Sequence, residues 1–352
     1  MPLLNREERR TSIALPKDNR VRNVSQVYGK NAVIDCGSCR IEGACLKCRN
    51  PRCMKYTESL IKCPEFPDFS YEHNLNVCPI DAIKWNYSLE LPEIDNEKCI
   101  KCGLCALRCP SGAISVSRGK VWVNKPDSTY DILPATPSNL QEQEKFITKL
   151  MVSNWKHHFL LESDSVMKEL YNKVSRFDGR TMAANLLIRN LMIALGYHCS
   201  ISRAGDVYTR IDAVYSNGDM YNSCYGAMEI EFGRDTLDAS RGILDDIAVL
   251  HSRNGIDMRD NIALVACLSF PNKRQGYFQV IKDVSRVLNL KIQTVSLGAL
   301  LIMAWNDIEV ELGDKKFYAD FDNLSIRNAV HSEIGRRIEI SEGFLGILEP
   351  EK

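Results

Sequence analysis

Net charge is absent from this 352-residue sequence: 45 Lys and Arg face 45 Asp and Glu. That balance excludes a polybasic binder held to nucleic acid by bulk charge, though not a local basic groove. Long hydrophobic runs are missing too. The longest apolar stretch, around Leu297 to Trp305, is too short to span a bilayer. The opening MPLLNREERR is charged within six residues, unlike a secretory signal. The expectation is a cytoplasmic chain that makes no membrane contact. A Walker loop, a Gly-rich dinucleotide fingerprint and a convincing Ser-His-Asp arrangement are all lacking.

What is present is a large apolar fraction, 45%, and 14 Cys. The first suffices for packed cores, and the length suggests about two domains. The cysteines are uneven: eleven lie between Cys36 and Cys109, and only Cys199, Cys224 and Cys267 follow. In a cytosolic chain, clustered Cys at short spacings point to metal ligation and not to disulfides. The charge also divides. Residues 1–130 hold 20 basic against 15 acidic side chains, and residues 131–352 hold 25 against 30.

The segment Asn124 to Asn139, with Pro126, Pro134 and Pro137, has linker composition. The expected division is a Cys-rich, metal-binding domain with an N-terminal extension at 1–125, a linker at 126–140, and a helical lead-in plus α/β domain at 141–352. In the latter, helices are predicted near Leu140–Trp155, Asp164–Phe177, Thr181–Leu195, Thr236–Ser252 and Tyr277–Leu288. Strands are predicted near Val207–Tyr215, Ala227–Phe232, Ile262–Phe270 and Lys291–Ser296, with Asn217-Gly218 as a hairpin-type turn. Residues 306–352 give no clear pattern.

Cys99-x2-Cys102-x2-Cys105-x3-Cys109-Pro110 is the most specific signal in the chain. Such spacing wraps three thiolates around one 4Fe–4S cluster and sends the fourth to another. A zinc site would pair x2 spacings across a longer loop. The run also repeats: Cys78-Pro79-Ile80-Asp81-Ala82-Ile83 parallels Cys109-Pro110-Ser111-Gly112-Ala113-Ile114. Over about residues 44–115 this resembles a bacterial-type two-cluster ferredoxin, whose halves exchange their last Cys. The resemblance implies two 4Fe–4S clusters, one on Cys99, Cys102, Cys105 and Cys78. The other would take Cys45, Cys48, Cys53 and Cys109, because Cys45-x2-Cys48-x4-Cys53 looks like the corresponding run in electron-transfer subunits of molybdopterin oxidoreductases. Those subunits continue directly into Cys-Pro, whereas here Met54 to Val77 intervene. Cys36, Cys39 and Cys63 remain, as an extra metal site or as structural thiols. Cys199, Cys224 and Cys267 suit buried core. Each cluster with four thiolates carries roughly −2 when oxidised, so two would offset most of the basic excess of the first part.

In the second part, Ala227-Met228-Glu229-Ile230-Glu231-Phe232 alternates with period two, placing Glu229 and Glu231 on one face. Two strand carboxylates make half of a hard-cation site, and Asp212 on the preceding strand could complete it. This helix, strand, strand-with-Asp, strand-with-Glu order resembles the PD-(D/E)xK restriction-endonuclease superfamily over about residues 180–296. The resemblance implies a mixed sheet flanked by helices, with Asp212 and Glu229 holding Mg²⁺ or Mn²⁺ and Glu231 as the third acid. It departs from the family where a Lys usually stands, at Glu231, and where many members carry a helix Glu, at Asn185. Arg241, Asp245, Asp246 and His251 look like an ordinary polar helix face. The loop Pro271 to Tyr277, basic with an aromatic, could hold a nucleic-acid backbone.

The function these features predict is Mg²⁺-dependent phosphodiester cleavage, of DNA more than RNA, in restriction or phage defence. An electron-transfer protein with a C-terminal docking domain is the alternative. A redox-sensing DNA-binding protein with an inactive nuclease fold is a third. Nucleic acid, a redox partner and a second copy of the chain are the corresponding partners.

Overall fold

The computed structural model describes residues 53–88, 91–108, 114–117, 120–123, 163–177, 182–206, 210–218, 224–233, 236–257, 262–306, 308, 310, 315–334 and 346–351. The expected linker, the helix near Leu140–Trp155, and Cys36, Cys39, Cys45, Cys48 and Cys109 lie outside these residues. The chain divides into two compact units. The first takes its described residues from Met1–Thr57, Leu75–Val174 and Ala304–Asp307; the second takes them from Glu58–Asn74, Ser175–Met303 and Ile308–Lys352. The described part of the stretch between Cys53 and Cys78 therefore leaves the first unit, contributes helix α1 (Glu58–Ile61) to the second, and returns.

The first unit is built from a duplicated local plan. Strand β1 (Ile83–Asn86) pairs with β2 (Leu91–Ile94), with Ile83 opposite Ile94. Helix α2 (Leu104–Arg108) follows, and then β3 (Ile114–Ser117) pairs with β4 (Lys120–Val123), with Ile114 opposite Val123. Each hairpin starts five residues after the Cys of a Cys-Pro pair, so the sequence repeat is also a repeat of structure. Ala82, Ile83 and Ile114 are buried at the hairpin mouths. Helix α3 (Ser163–Val174) belongs to the same unit and buries Val166, Met167, Leu170 and Val174 along one stripe.

The second unit centres on a five-stranded sheet. Helix α4 (Ala183–Ala194) is followed by β5 (His198–Ile201), β6 (Ala213–Ser216) and β7 (Tyr225–Glu231). Helix α5 (Thr236–Asn254), β8 (Ala263–Cys267), helix α6 (Tyr277–Leu288) and β9 (Ile292–Ser296) complete the core. The strand order is β5-β6-β7-β8-β9. The first two pairings are antiparallel, and the last two are parallel with a helical crossover each. Asn217 accepts from the Cys224 amide at 3.0 Å and donates its own to the Cys224 carbonyl at 2.9 Å, closing β6 on β7 where Asn-Gly predicted a turn. The strand expected from Val207 is regular only from Ala213, with 207–209 outside the described residues. The apolar stretch near Leu297 is helix α7 (Leu297–Trp305), buried all round as its composition requires. Among the described residues no helix is long and apolar enough to cross a membrane. Part of the tail that gave no pattern forms helix α8 (Arg327–Ile334).

Candidate iron–sulfur site and a buried acid cluster

The loop between β2 and α2 turns sharply twice. Lys101 has φ +62° and Gly103 φ +75°, left-handed values that curl the backbone round on itself. The curl aims the Cys99, Cys102 and Cys105 side chains at one pocket, and Cys78 enters from the turn before β1. The remaining walls are aliphatic, including Ile83, Ile94, Ile100 and Val121. Backbone amides point at the sulfurs: Ala82 N–H donates to Cys78 Sγ at 3.2 Å, and Lys101 N–H to Cys99 Sγ at 3.3 Å.

Burial raises the pKa of all four thiols, those of Cys102 and Cys105 strongly; neighbouring thiols add to the rise at Cys99, Cys102 and Cys105, and Asp81 at Cys78. The amide dipoles oppose it at Cys78, Cys99 and Cys102. A metal centre supplies the positive charge that ionises such thiols, with release of their protons. Four thiols in a pocket with otherwise aliphatic walls are a ligand set that suits a 4Fe–4S cluster.

Cys53, expected in the other cluster, is buried in the same unit, near enough to Cys105 for a charge on one to be felt by the other. Cys63 is placed quite differently. It sits in the second unit, where its amide donates to Ser200 Oγ at 3.0 Å and its thiol to the Val214 carbonyl at 3.3 Å. Burial pushes its pKa up to about 12, so the thiol stays protonated there. Cys199 and Cys267 are buried as expected, whereas Cys224 is only half-buried.

The acids of the second unit converge in part. Asp212, just ahead of β6, accepts from the Ile230 amide at 2.9 Å and from Asn185 Nδ2 of α4 at 3.4 Å. Glu229 on β7 packs against α5 where Gly242 leaves room: a Cβ there would lie 2.8 Å from Glu229 Oε1. Asp246 of α5 meets Glu229. It is 2% exposed and therefore no part of a polar helix face, the role its position in the sequence suggested. Its place among Ala239, Ile243, Ile247 and Leu250 on the buried stripe was the available signal. Burial, then mutual repulsion with Asp212 and Asp246, holds Glu229 far above the usual carboxylate range. Asp246 is raised for the same first reason. Glu231 accepts from the Gly233 amide of its own loop, and its charge is still felt by Asp212 and Glu229.

The loop at Pro271 to Tyr277 is a capped turn. Asn272 Oδ1 accepts from Arg274 N at 2.9 Å, and Gln275 Oε1 from Asn272 N at 3.3 Å. Tyr277 is fully buried with its hydroxyl 2.7 Å from Thr294 Oγ1, so it presents no ring for stacking a base.

Residues 92–115 match the model of the 4Fe-4S binding domain. An uncharacterized ferredoxin of Methanocaldococcus jannaschii is 48% identical over 40 residues, 11% of this chain and 25% of that protein. The polyferredoxin-like subunit of an aliphatic sulfonate oxidoreductase from Pyrococcus furiosus is 32% identical over 60 residues, 17% of this chain and 31% of that protein. The chain thus spans between a quarter and a third of the length of these curated relatives. No solved structure matches. The Cys99–Cys105 loop and helix α2 lie within the matched span, so the part of the chain that matches a 4Fe–4S binding domain is the part that carries these cysteines.

Proposed function

We propose that the chain is a ferredoxin-type electron carrier, the iron–sulfur unit exchanging single electrons with a redox partner. The observation that carries this reading is the cavity walled by Cys78, Cys99, Cys102 and Cys105 and otherwise by aliphatic side chains. Bound there, a 4Fe–4S cluster supplies one-electron chemistry at a potential set by charge, sulfur hydrogen bonds and solvent access. The chain's own residues do the rest. The four thiols hold iron, the amides of Ala82 and Lys101 offset sulfur charge, and Ile83, Ile94, Ile100 and Val121 keep water away. Cys45, Cys48, Cys53 and Cys109 are the ligands we assign to a second cluster, which would let an electron pass between two centres. The relatives named as a ferredoxin and as a polyferredoxin-like oxidoreductase subunit support the same reading.

A second reading, for the second unit, is cleavage of a phosphodiester by Asp212, Glu229 and Glu231 with Mg²⁺. What favours it is the approach of Asp212, just ahead of β6, to Glu229 of β7 in a sheet with two antiparallel and two parallel pairings. Against it stands the hydrogen bond that Glu231 takes from the Gly233 amide, which engages the third acid with its own loop.

One preparation tests both. Anaerobically purified protein is expected to carry iron and sulfide, to bleach on reduction, and to show a half-integer-spin resonance after one-electron uptake. Absence of iron after anaerobic reconstitution overturns the carrier reading. DNA incubated with the same protein and Mg²⁺ or Mn²⁺ is expected to stay intact. Cutting by wild type that disappears in Glu229→Ala would instead establish the second reading.

A further inference from the structure

We infer that Lys173, far outside the matched ferredoxin span, is a positioning residue for the cysteine loop and raises the reduction potential of the cluster held there. The inference deepens the carrier reading and rests on it. Lys173 lies in the last turn of α3. An ammonium has three N–H bonds, and this one donates to three carbonyls of a single loop: Asn96, Glu97 (2.9 Å) and Cys99. One turn earlier on the same helix, Glu169 pairs with Lys101, whose side chain is only 5% exposed and whose backbone holds the left-handed turn. Positions i and i+4 of one helix face therefore grip the loop on both sides of Cys99. From the Ala304–Asp307 stretch of the same unit, buried Trp305 donates Nε1–H to the Cys102 carbonyl at 3.0 Å.

The electrostatics agree with the geometry. The Lys173 ammonium, bonded to the Cys99 carbonyl, stands within reach of any charge held at that cysteine. The partners of Lys173 are neutral carbonyls, so its charge is not cancelled by them. The charge of Lys101 is offset by Glu169. A reduced cluster carries one more negative charge than an oxidised one, and a fixed cation nearby favours the reduced form. Removing that cation lowers the potential.

The test is redox titration of the holoprotein together with iron content and amide hydrogen exchange. Lys173→Met is expected to keep its iron and to shift the one-electron reduction equilibrium about tenfold toward the oxidised form, ~59 mV. Exchange around Asn96–Ile100 is expected to quicken. Glu169→Gln, which leaves Lys101 unneutralised, is expected to shift the potential the other way. Wild-type potential and exchange in Lys173→Met overturn the inference. If that variant loses its iron, Lys173→Arg decides: iron restored at near-wild-type potential supports the role of the charge, and iron still absent overturns it. A wild type without iron overturns the carrier reading and this inference with it, and iron analysis tells that outcome from the others.

Discussion

Cys102→Ser is expected to remove about four irons and four sulfides per chain, and with them the redox-active absorbance. Cys102 sits at the inner side of the cavity, buried, with its carbonyl held by Trp305. A hydroxyl placed there has a far higher pKa than a thiol, and burial already opposes the anion strongly. Three thiolates remain, with no fourth sulfur among the described residues lining the chamber. Because ligand binding is coupled to folding, the variant is also expected to melt earlier and to expose the Cys99–Cys105 loop to proteolysis. Cys224→Ser is the control: a half-buried thiol of the second unit, whose loss should leave iron unchanged. Cys53→Ser addresses the second cluster. If it too costs about four irons, leaving the Cys102 set intact, two clusters are present. Full iron in Cys102→Ser would refute the ligand assignment. Elemental analysis and spin quantitation read all three variants.

The iron–sulfur loop was legible because its ligands are local in sequence. Three Cys within seven residues form one wall by themselves, and the left-handed turn at Lys101 only refines their aim. Cys78 is 21 residues from Cys99, yet the repeat of Cys-Pro-x2-Ala-Ile located it, since both copies lead into a hairpin. What is held by distant partners left no such trace. Lys173 looks like any surface lysine in sequence, 74 residues from the carbonyl it meets. The stretch after Cys53 read as an interruption of the ferredoxin pattern. It gives α1 to the second unit, where Ser200 of β5 bonds both the Ile61 carbonyl and the Cys63 amide. Strand β5 escaped notice because His-Cys-Ser-Ile is buried on both faces and shows no alternation. The alternation of β7 was legible, but not the destination of its acidic face. Glu229 lies under α5 beside Asp246, and only the buried stripe of α5 could have revealed that.

That buried face carries the other large effect. Glu229→Gln is expected to be more stable than wild type at alkaline pH and no more stable at pH 4, in protein held in chelator. The charged groups that act most on Glu229 and Asp246 are acids: Asp212 ahead of β6, the pair's own partner across β7 and α5, Asp245 on α5, and Glu231 farther along β7. Burial comes first and repulsion second, and both push the folded-state pKa of Glu229 and of Asp246 upward. The unfolded chain titrates near the ordinary values, about 4. Between those values and the raised ones, the folded state binds more protons than the unfolded state, so stability falls as pH rises through neutrality. The penalty is absent below about pH 4 and complete once both folded groups have ionised. A neutral amide at 229 cannot charge, so the variant's melting temperature should fall less between pH 5 and pH 9. At pH 9 the gain is expected to exceed tenfold in the folding equilibrium, the equivalent of a single unit of pKa shift. Parallel pH profiles for wild type and variant would refute the buried acid cluster. Adding Mg²⁺ then separates its two uses. A cation bound by Asp212 and Glu229 would stabilise wild type most at high pH, where the acids are ionised, and would leave Glu229→Gln unmoved. Wild type indifferent to Mg²⁺ and Mn²⁺ would make the cluster a store of protons inside the sheet unit and remove the cation-binding reading of Asp212 and Glu229.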